Sequence, residues 1–198
     1  MKKIILVVSA IFFLSGCGFK EVEPTPQSYR LENILSQKVF ETTDPRVILI
    51  QNIGGDSVAL SKSIIYNQNG ALKPYKYSRW SEFPAVRLQQ LIVESFETRK
   101  LFKATIPTLS LAKSDLSLES ELERFEQVYE KGDSFVQISM NFRLIQNKDA
   151  KILGTTSLHV KVSLTGEKTL DTIHAFNEAV GGMILQLGDW TKGQLNEQ

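Results

Sequence analysis

The fold is decided by the stretch Val136-Gln137-Ile138-Ser139-Met140-Asn141-Phe142-Arg143-Leu144, in which apolar and polar residues alternate without a break. Alternation with a period of two predicts a strand that has one buried face and one solvated face. The same pattern returns in residues 152–164, after a turn-forming cluster at residues 147–150. We therefore expect two half-buried antiparallel strands joined by a turn.

Three other regions predict further strands. Residues 46–53 are apolar on both faces and rich in β-branched side chains, which is typical of a central strand covered on both sides. Residues 63–66 and 72–77 flank a cluster of Asn and Gly residues, which predicts a β-hairpin. Residues 101–106 predict a short strand that ends at Pro107.

Residues 115–129 fit two patterns. A helical stripe would use every third or fourth residue, whereas a strand would need a slip in the alternation near Arg124. The glutamates favour a helix, and the turn at residues 131–134 with the strong strand after it favours a third long strand. We choose the long strand and keep the helix as the alternative.

Two segments predict amphipathic helices. Pro84 suits the first helical turn, and residues 84–100 place apolar side chains on one side. A final helix is expected where apolar residues recur at helical spacing near the C-terminus, namely Leu170, Ile173, Phe176, Val180, Met183, Ile184 and Leu187. Gly181 and Gly182 lie inside it and cost about 1 kcal/mol each relative to Ala. Either they let the helix approach the sheet closely, or the helix kinks or breaks there.

The N-terminus carries a lipoprotein signal that ends at Cys17. Lys2 and Lys3 precede an apolar run that is too short to span a bilayer, and Leu14-Ser15-Gly16-Cys17 closes that run. In the lipobox pattern, which this resembles, the Cys17 sulfur receives diacylglycerol, residues 1–16 are removed, and the new amino group is usually acylated, for example with palmitate. Two or three acyl chains anchor a protein stably without a spanning helix. The alternatives are a secreted protein with unmodified Cys17, or an uncleaved signal anchor.

Cleavage would leave a lipidated N-terminus and tether at residues 17–28 and one folded domain at residues 29–195. The two prolines of the tether predict an extended spacer of roughly 30 Å. The mature chain would carry 21 basic and 22 acidic residues, so nucleic acid is not an expected partner. With the single cysteine lipidated, no disulfide can form.

The chain offers little catalytic chemistry, so we expect no enzyme, metal or cofactor. His159 and His174 are the only histidines, and neither has a partner at metal-ligand spacing. No glycine-rich loop is followed by the Lys-Ser/Thr pair that holds phosphates. The acidic run of Glu119, Glu121, Glu123 and Glu126 is interpreted as a solvated strand face and not as a pair of catalytic carboxylates.

An aromatic and cationic segment lies at the predicted strand-to-helix junction before Pro84. Tyr77, Arg79, Trp80 and Glu82 are the candidate partner-binding residues, because Tyr, Trp and Arg dominate interface hot spots. In the alternative interpretation, Trp80 fills the corner between sheet and helix and Arg79 covers it.

The whole pattern resembles the ABC-type transport auxiliary lipoproteins. The resemblance rests on the lipobox, the proline-containing spacer, the junction described above, the amphipathic helix that ends at Leu101-Phe102, and residues 116–126 with the strands and helix after them. It implies a mixed, largely antiparallel sheet with at least two helices packed on it, in one α+β (α/β) domain, and it favours a strand at residues 115–129. It also implies a non-catalytic accessory role in envelope lipid transport, beside an ABC transporter permease and ATPase and a mammalian-cell-entry (MCE) domain protein.

We expect this protein to face the periplasm from the outer membrane. Gly18 follows Cys17, at the position where an aspartate often retains lipoproteins in the inner membrane. Whether the chain forms a homo-oligomer stays open. The alternative function is an envelope assembly lipoprotein, or one that activates a cell-wall synthase, but the spacer is short for reaching through peptidoglycan.

Overall fold

The structure is a computed structural model that describes residues 24–36 and 38–196. Within these residues, nine strands and two helices follow one another in the chain. They are β1 (Gln27–Tyr29), β2 (Asp44–Ile50), β3 (Gly54–Gly55), β4 (Ser63–Gln68), β5 (Ala71–Trp80), α1 (Pro84–Thr98), β6 (Phe102–Pro107), β7 (Leu116–Glu130), β8 (Asp133–Gln146), β9 (Lys151–Ser163) and α2 (Thr169–Asn196). The expected single α+β domain is confirmed. Neither of the two described helices is long and apolar enough to cross a bilayer.

Strand β7 is the central strand of the sheet and is paired along both of its edges. One of its edges pairs with β8 along its whole length in antiparallel orientation, and β8 in turn pairs with β9. Its other edge is shared by three parallel neighbours, β2, β3 and β4, one after another. Strand β6 continues the sheet beyond β2, and β5 and β1 continue it beyond β4. A strand of this length spans about 50 Å, so it can support two groups of strands placed end to end.

The sheet is mixed, as expected, with an uneven distribution of the two pairings. In the described residues, five of the eight strand pairings are parallel. The two longest ladders, β7–β8 and β8–β9, are antiparallel. These two antiparallel ladders could be predicted from the sequence, because each joins two strands that follow one another in the chain.

The long-strand interpretation of residues 115–129 is confirmed. Its pairing with β8 shifts by one residue between Leu122 and Arg124, where the sequence required a slip. A β-bulge places one extra residue in a strand and so moves the next residues to the opposite face. As a result, Phe125 is buried after Leu122, although the two are an odd number of residues apart.

The central position of β2, between β6 and β7, is also confirmed. Ile48 and Ile50 are fully buried, whereas Val47 and Leu49 are only half-buried. The expectation of a strand covered on both sides is therefore corrected, because both helices pack on one face of the sheet and leave the other partly open.

The β4–β5 hairpin turns at Asn69 and Gly70, with φ of 53° and 83°. Both residue types tolerate this left-handed region, and the turn is the one that the Asn-Gly signal predicts. The alternating face of β8 is buried from Val136 to Leu144, while the matching face of β9 is only half-buried.

Helix α1 begins at Pro84 and buries the predicted stripe, including Leu88, Ile92 and Phe96. It ends at Thr98, slightly before the predicted bound.

Helix α2 runs without interruption through Gly181 and Gly182, so the alternative of a break is wrong. A Cβ on Gly181 would lie 2.7 Å from Leu35 Cγ and 2.9 Å from Asn33 Oδ1. A Cβ on Gly182 would make only an ordinary contact of 3.6 Å with Val160 of β9. The glycines do permit a close approach, but the neighbour that requires it is the N-terminal segment and not the sheet.

The predicted domain bounds of residues 29–195 differ slightly from the described elements. Sheet pairing begins at Gln27, so the last two residues assigned to the tether belong to β1. The final helix ends at Asn196. The predicted signal peptide and Cys17 lie outside the described residues.

Candidate functional site

Trp80, the last residue of β5, lies in the core and not on the surface. It is 1% exposed, and its ring packs 5.7 Å from Phe125 and 5.1 Å from Phe176, centroid to centroid. Alternation at the end of β5 turns Ser78 and Trp80 inward and Arg79 outward. Trp80 is therefore corrected as a partner-binding candidate, since it fills the space between the sheet and α2.

The other three junction residues lie at the surface, and two of them, Arg79 and Glu82, contact the N-terminal segment. Arg79 Nε donates a hydrogen bond to Ser28 Oγ at 3.2 Å. Glu82 Oε1 lies 3.8 Å from Arg30 Nε. Together with the pairing of β1 on β5, these contacts fix the point at which the chain toward the N-terminus leaves the domain. Tyr77 is 46% exposed beside them, so Tyr77, Arg79 and Glu82 form one accessible surface.

The sheet face opposite the helices carries a polar groove with a volume of about 780 Å³. Arg143 Nη1 donates to Glu119 Oε2 at 2.5 Å, and Asn141 Nδ2 donates to Glu123 Oε1 at 2.6 Å. Ser157 Oγ donates to Asn141 Oδ1 at 2.6 Å. These cross-strand bonds pair Glu119 and Glu123 with polar residues of β8, and Glu121 is exposed to solvent between them.

Glu126 is the exception in the acidic run, since it is 6% exposed. It follows the bulge, and it accepts a long hydrogen bond of 3.4 Å from Asn67 Nδ2 of β4. Arg124 Nη1 lies 3.7 Å from the same carboxylate. Glu126 thus serves the β4–β7 pairing and is not on the wet face.

The histidines do not form a cluster. His159 Nδ1 lies 2.9 Å from Ser139 Oγ on the outer face of β8 and β9, and His174 is exposed on α2. Within residues 24–36 and 38–196, no group of three or more His, Cys, Asp or Glu side chains is placed to hold a metal ion.

A buried cation at the end of α1 was not found from the sequence. Arg99 is 3% exposed, and it donates from Nε to Lys38 O at 3.3 Å and from Nη1 to Leu185 O at 3.1 Å. Its Nη2 donates to the Asp189 carboxylate, and its guanidinium lies 4.3 Å from the Phe40 ring centroid. An arginine after a helix ordinarily faces water, and only the tertiary fold brings these acceptors around it.

The absence of a side chain at Gly188 makes room for that guanidinium. A Cβ at this position of α2 would collide with Arg99 Nη1. Arg99 thereby connects α1, α2 and the segment before β2, which makes it a structural cation and not a free binding group.

Among the described residues, three ionisable groups have perturbed pKa values: Asp44, Arg46, whose pKa is raised by its hydrogen bonds to Asp44, and Tyr75. Burial alone would raise the pKa of Asp44, but hydrogen bonds from Arg46 outweigh it and hold that pKa below its ordinary value. Arg46 Nε and Nη2 reach the two carboxylate oxygens at 2.9 and 2.8 Å. Burial raises the pKa of Tyr75 to about 12, so its hydroxyl stays protonated and donates to Gln127 Oε1.

A loop between β6 and β7 presents two leucines to solvent. Leu109 is 93% exposed and Leu111 is 103% exposed. The backbone around them is held in place, since Ser110 N donates to Pro107 O at 2.9 Å and Ala112 N donates to Ser110 Oγ at 3.2 Å. Sequence periodicity gave no signal for this loop, because two leucines separated by one residue also fit a buried strand.

The family comparison places the chain in a known class of lipoproteins. The chain belongs to the family of ABC-type transport auxiliary lipoprotein components, whose model matches residues 29–187. The resemblance found in the sequence is therefore confirmed, and the protein is a cell-envelope lipoprotein associated with ABC-type transport.

Solved structures share the fold. A protein of Xanthomonas campestris is 19% identical and superposes with a TM-score of 0.77, covering 86% of this chain and 99% of its own. A hypothetical protein of Chlamydia trachomatis is 9% identical, with a TM-score of 0.57 over 78% of this chain and 99% of its own. No curated protein sequence matches the chain.

Proposed function

We propose that this protein is a non-catalytic accessory component of an ABC/MCE-type envelope lipid-transport system. In this proposal, acyl chains on Cys17 hold it in the outer membrane, and the domain faces the periplasm. The observation that carries the proposal is the family match over residues 29–187. The polar groove supports the non-catalytic part of the proposal. The side chains of Glu119, Asn141 and Arg143 use their polar atoms in hydrogen bonds across β7, β8 and β9.

The accessible surface of Tyr77, Arg79 and Glu82 is the proposed contact with a partner of that system. Arg79 and Glu82 hold β1 in place, so a partner seated there would contact the domain beside its tether. Trp80 would limit the movement of the strand that carries this surface, because its ring packs on Phe125 and Phe176 in the core. Tyrosine supplies a large contact area at a low cost in side-chain entropy.

A pull-down tests the proposal. The full chain, tagged at its C-terminus, is recovered from envelopes solubilised in mild detergent, and an MCE-domain protein with its permease and ATPase is expected to co-purify. Recovery of none of them by a well-folded bait contradicts the role. Tyr77→Ala should weaken recovery, whereas Tyr129→Ala, another tyrosine of which 40% is exposed, should not.

The location in the outer membrane is tested separately by membrane fractionation. The wild-type chain is expected in the outer-membrane fraction, and Cys17→Ser should prevent lipidation and release the chain from it. A Cys17→Ser chain that stays in the outer membrane contradicts the lipid anchor.

A further inference from the structure

We propose that Leu109 and Leu111 insert into the same lipid surface that holds the anchor and so orient the domain on the membrane. The proposal rests on the lipid anchor at Cys17 that is part of the proposed function. Single exposed leucines are common on soluble proteins. Two leucines at essentially full exposure in one short loop form an apolar tip that is removed from water only when another surface covers it.

The loop is suited to membrane insertion because hydrogen bonds fix both of its ends. Thr108 Oγ1 donates to Ile50 O at 3.2 Å on one side of the loop. On the other side, Asn147 Nδ2 donates to Ser114 O at 3.0 Å and to Ser114 Oγ at 2.8 Å. The two leucines between these points are therefore presented without a large loss of backbone freedom on insertion.

The charges beside the tip favour an anionic lipid surface. The bond from Asn147 to Ser114 brings the β8–β9 turn next to the loop, and Lys113, Lys148 and Lys151 are all exposed there. The two aspartates at this end accept hydrogen bonds from backbone N–H groups, Asp115 from Val47 and Asp149 from Lys151. Lysines that flank an apolar tip can contact lipid phosphates while the leucines enter the acyl region.

The tether is long enough to allow this contact. Across β5 and β4, Gln27 lies about level with Phe125 of β7. Phe125 is nine residues along the strand from Leu116, where the leucine loop ends; this separation is about 30 Å. The ten residues from Cys17 to Gln27 span at most about 35 Å. Since β1 runs antiparallel to β7, the chain before Gln27 leaves away from the leucine loop. The anchor and the leucine tip therefore reach one membrane surface when the tether folds back along the domain and the domain tilts toward the membrane, and the tether then keeps the tip at a high local concentration beside that surface.

A site-specific fluorescence measurement tests the insertion. The full lipidated chain is reconstituted into vesicles of phosphatidylethanolamine and phosphatidylglycerol whose acyl chains are brominated. An environment-sensitive label is attached through Ala112→Cys, which leaves both leucines in place. The control label is attached through Leu170→Cys, since Leu170 is 65% exposed at the start of α2.

The label at position 112 is expected to be quenched by the brominated chains, and the label at position 170 is not. Leu109→Ser with Leu111→Ser should lower the ratio of inserted to free loop by roughly a hundredfold or more, because full burial of each leucine corresponds to about tenfold to a hundredfold in partitioning. Lys113→Gln with Lys148→Gln should weaken insertion less. Both double variants are expected to melt at the parent temperature, since the changes are on the surface.

Three results would overturn the proposal. A chain that does not float with vesicles contradicts the lipid anchor, and this inference with it. A floating chain whose label at position 112 stays as hydrated as the one at position 170 contradicts insertion alone. Shielding of position 112 only after the MCE-domain protein is added would show that the leucine tip docks on a protein.

Discussion

Removal of the Trp80 ring is the most direct test of the packing between the sheet and α2. The side chain is 1% exposed and contacts two other buried aromatic rings, Phe125 and Phe176, which lie 4.8 Å from each other. Truncation of a buried tryptophan to alanine costs about 3–5 kcal/mol, which includes the cavity that is left. Since domains of this size are stable by about 5–15 kcal/mol, Trp80→Ala should remove a large part of the total.

The assays are urea unfolding, which gives the free energy of unfolding, and thermal unfolding of the full chain in detergent, both followed by circular dichroism. At about 2–4 °C per kcal/mol for a domain of this size, the melting temperature should fall by roughly 6–20 °C. Tyr77→Ala, three residues earlier and 46% exposed, is the matched control and should cost less than about 1 kcal/mol. If Trp80→Ala costs no more than Tyr77→Ala, the ring does not fill the core and the surface interpretation of Trp80 returns.

Trp80→Phe separates packing from hydrogen bonding. Nε1 of Trp80 is buried and has no hydrogen-bond partner among the described residues. Phenylalanine keeps most of the aromatic contact and removes only this unpaired donor with part of the ring, so it should cost well under half of the Trp80→Ala value. An equal cost for the two variants would mean that Nε1 makes a strong bond in solution.

Two further predictions concern α2 and β2. Gly188→Ala should lower the melting temperature because its Cβ collides with the Arg99 guanidinium, whereas Gly193→Ala in the same helix has open space around its Cβ and should be neutral or stabilising by up to about 1 kcal/mol. Equal effects of the two alanines would disprove the close packing of Arg99. The pKa of Asp44 in the folded protein lies below its ordinary value of 3.8. The pairing of Asp44 with Arg46 therefore stabilises the fold fully at pH values above 3.8, and this stabilisation is lost as the pH falls through the pKa of the folded state. Wild type should therefore exceed Asp44→Asn in stability at neutral pH, and the difference should shrink in acid; a difference that is constant with pH contradicts the ion pair.

The sequence by itself determined the elements whose patterns are local. Alternation gave β8 and β9, the Asn-Gly cluster gave the β4–β5 hairpin, and the apolar stripe after Pro84 gave α1. Even the bulge near Arg124 was visible as a slip in the alternation. These features are readable because neighbouring residues in the chain decide which face of a strand or helix is apolar.

Only the tertiary structure decided what those faces contact. The three parallel neighbours of β7 come from distant parts of the chain, and the acceptors that surround Arg99 come from two separate segments, α2 and the residues before β2. The tertiary structure also decided that Trp80 is buried and that Leu109 and Leu111 are exposed. All three are apolar residues, and the sequence around them does not show which of them is covered. The physical reason is that periodicity reports that a face avoids water, whereas burial depends on which long-range surface arrives to cover it.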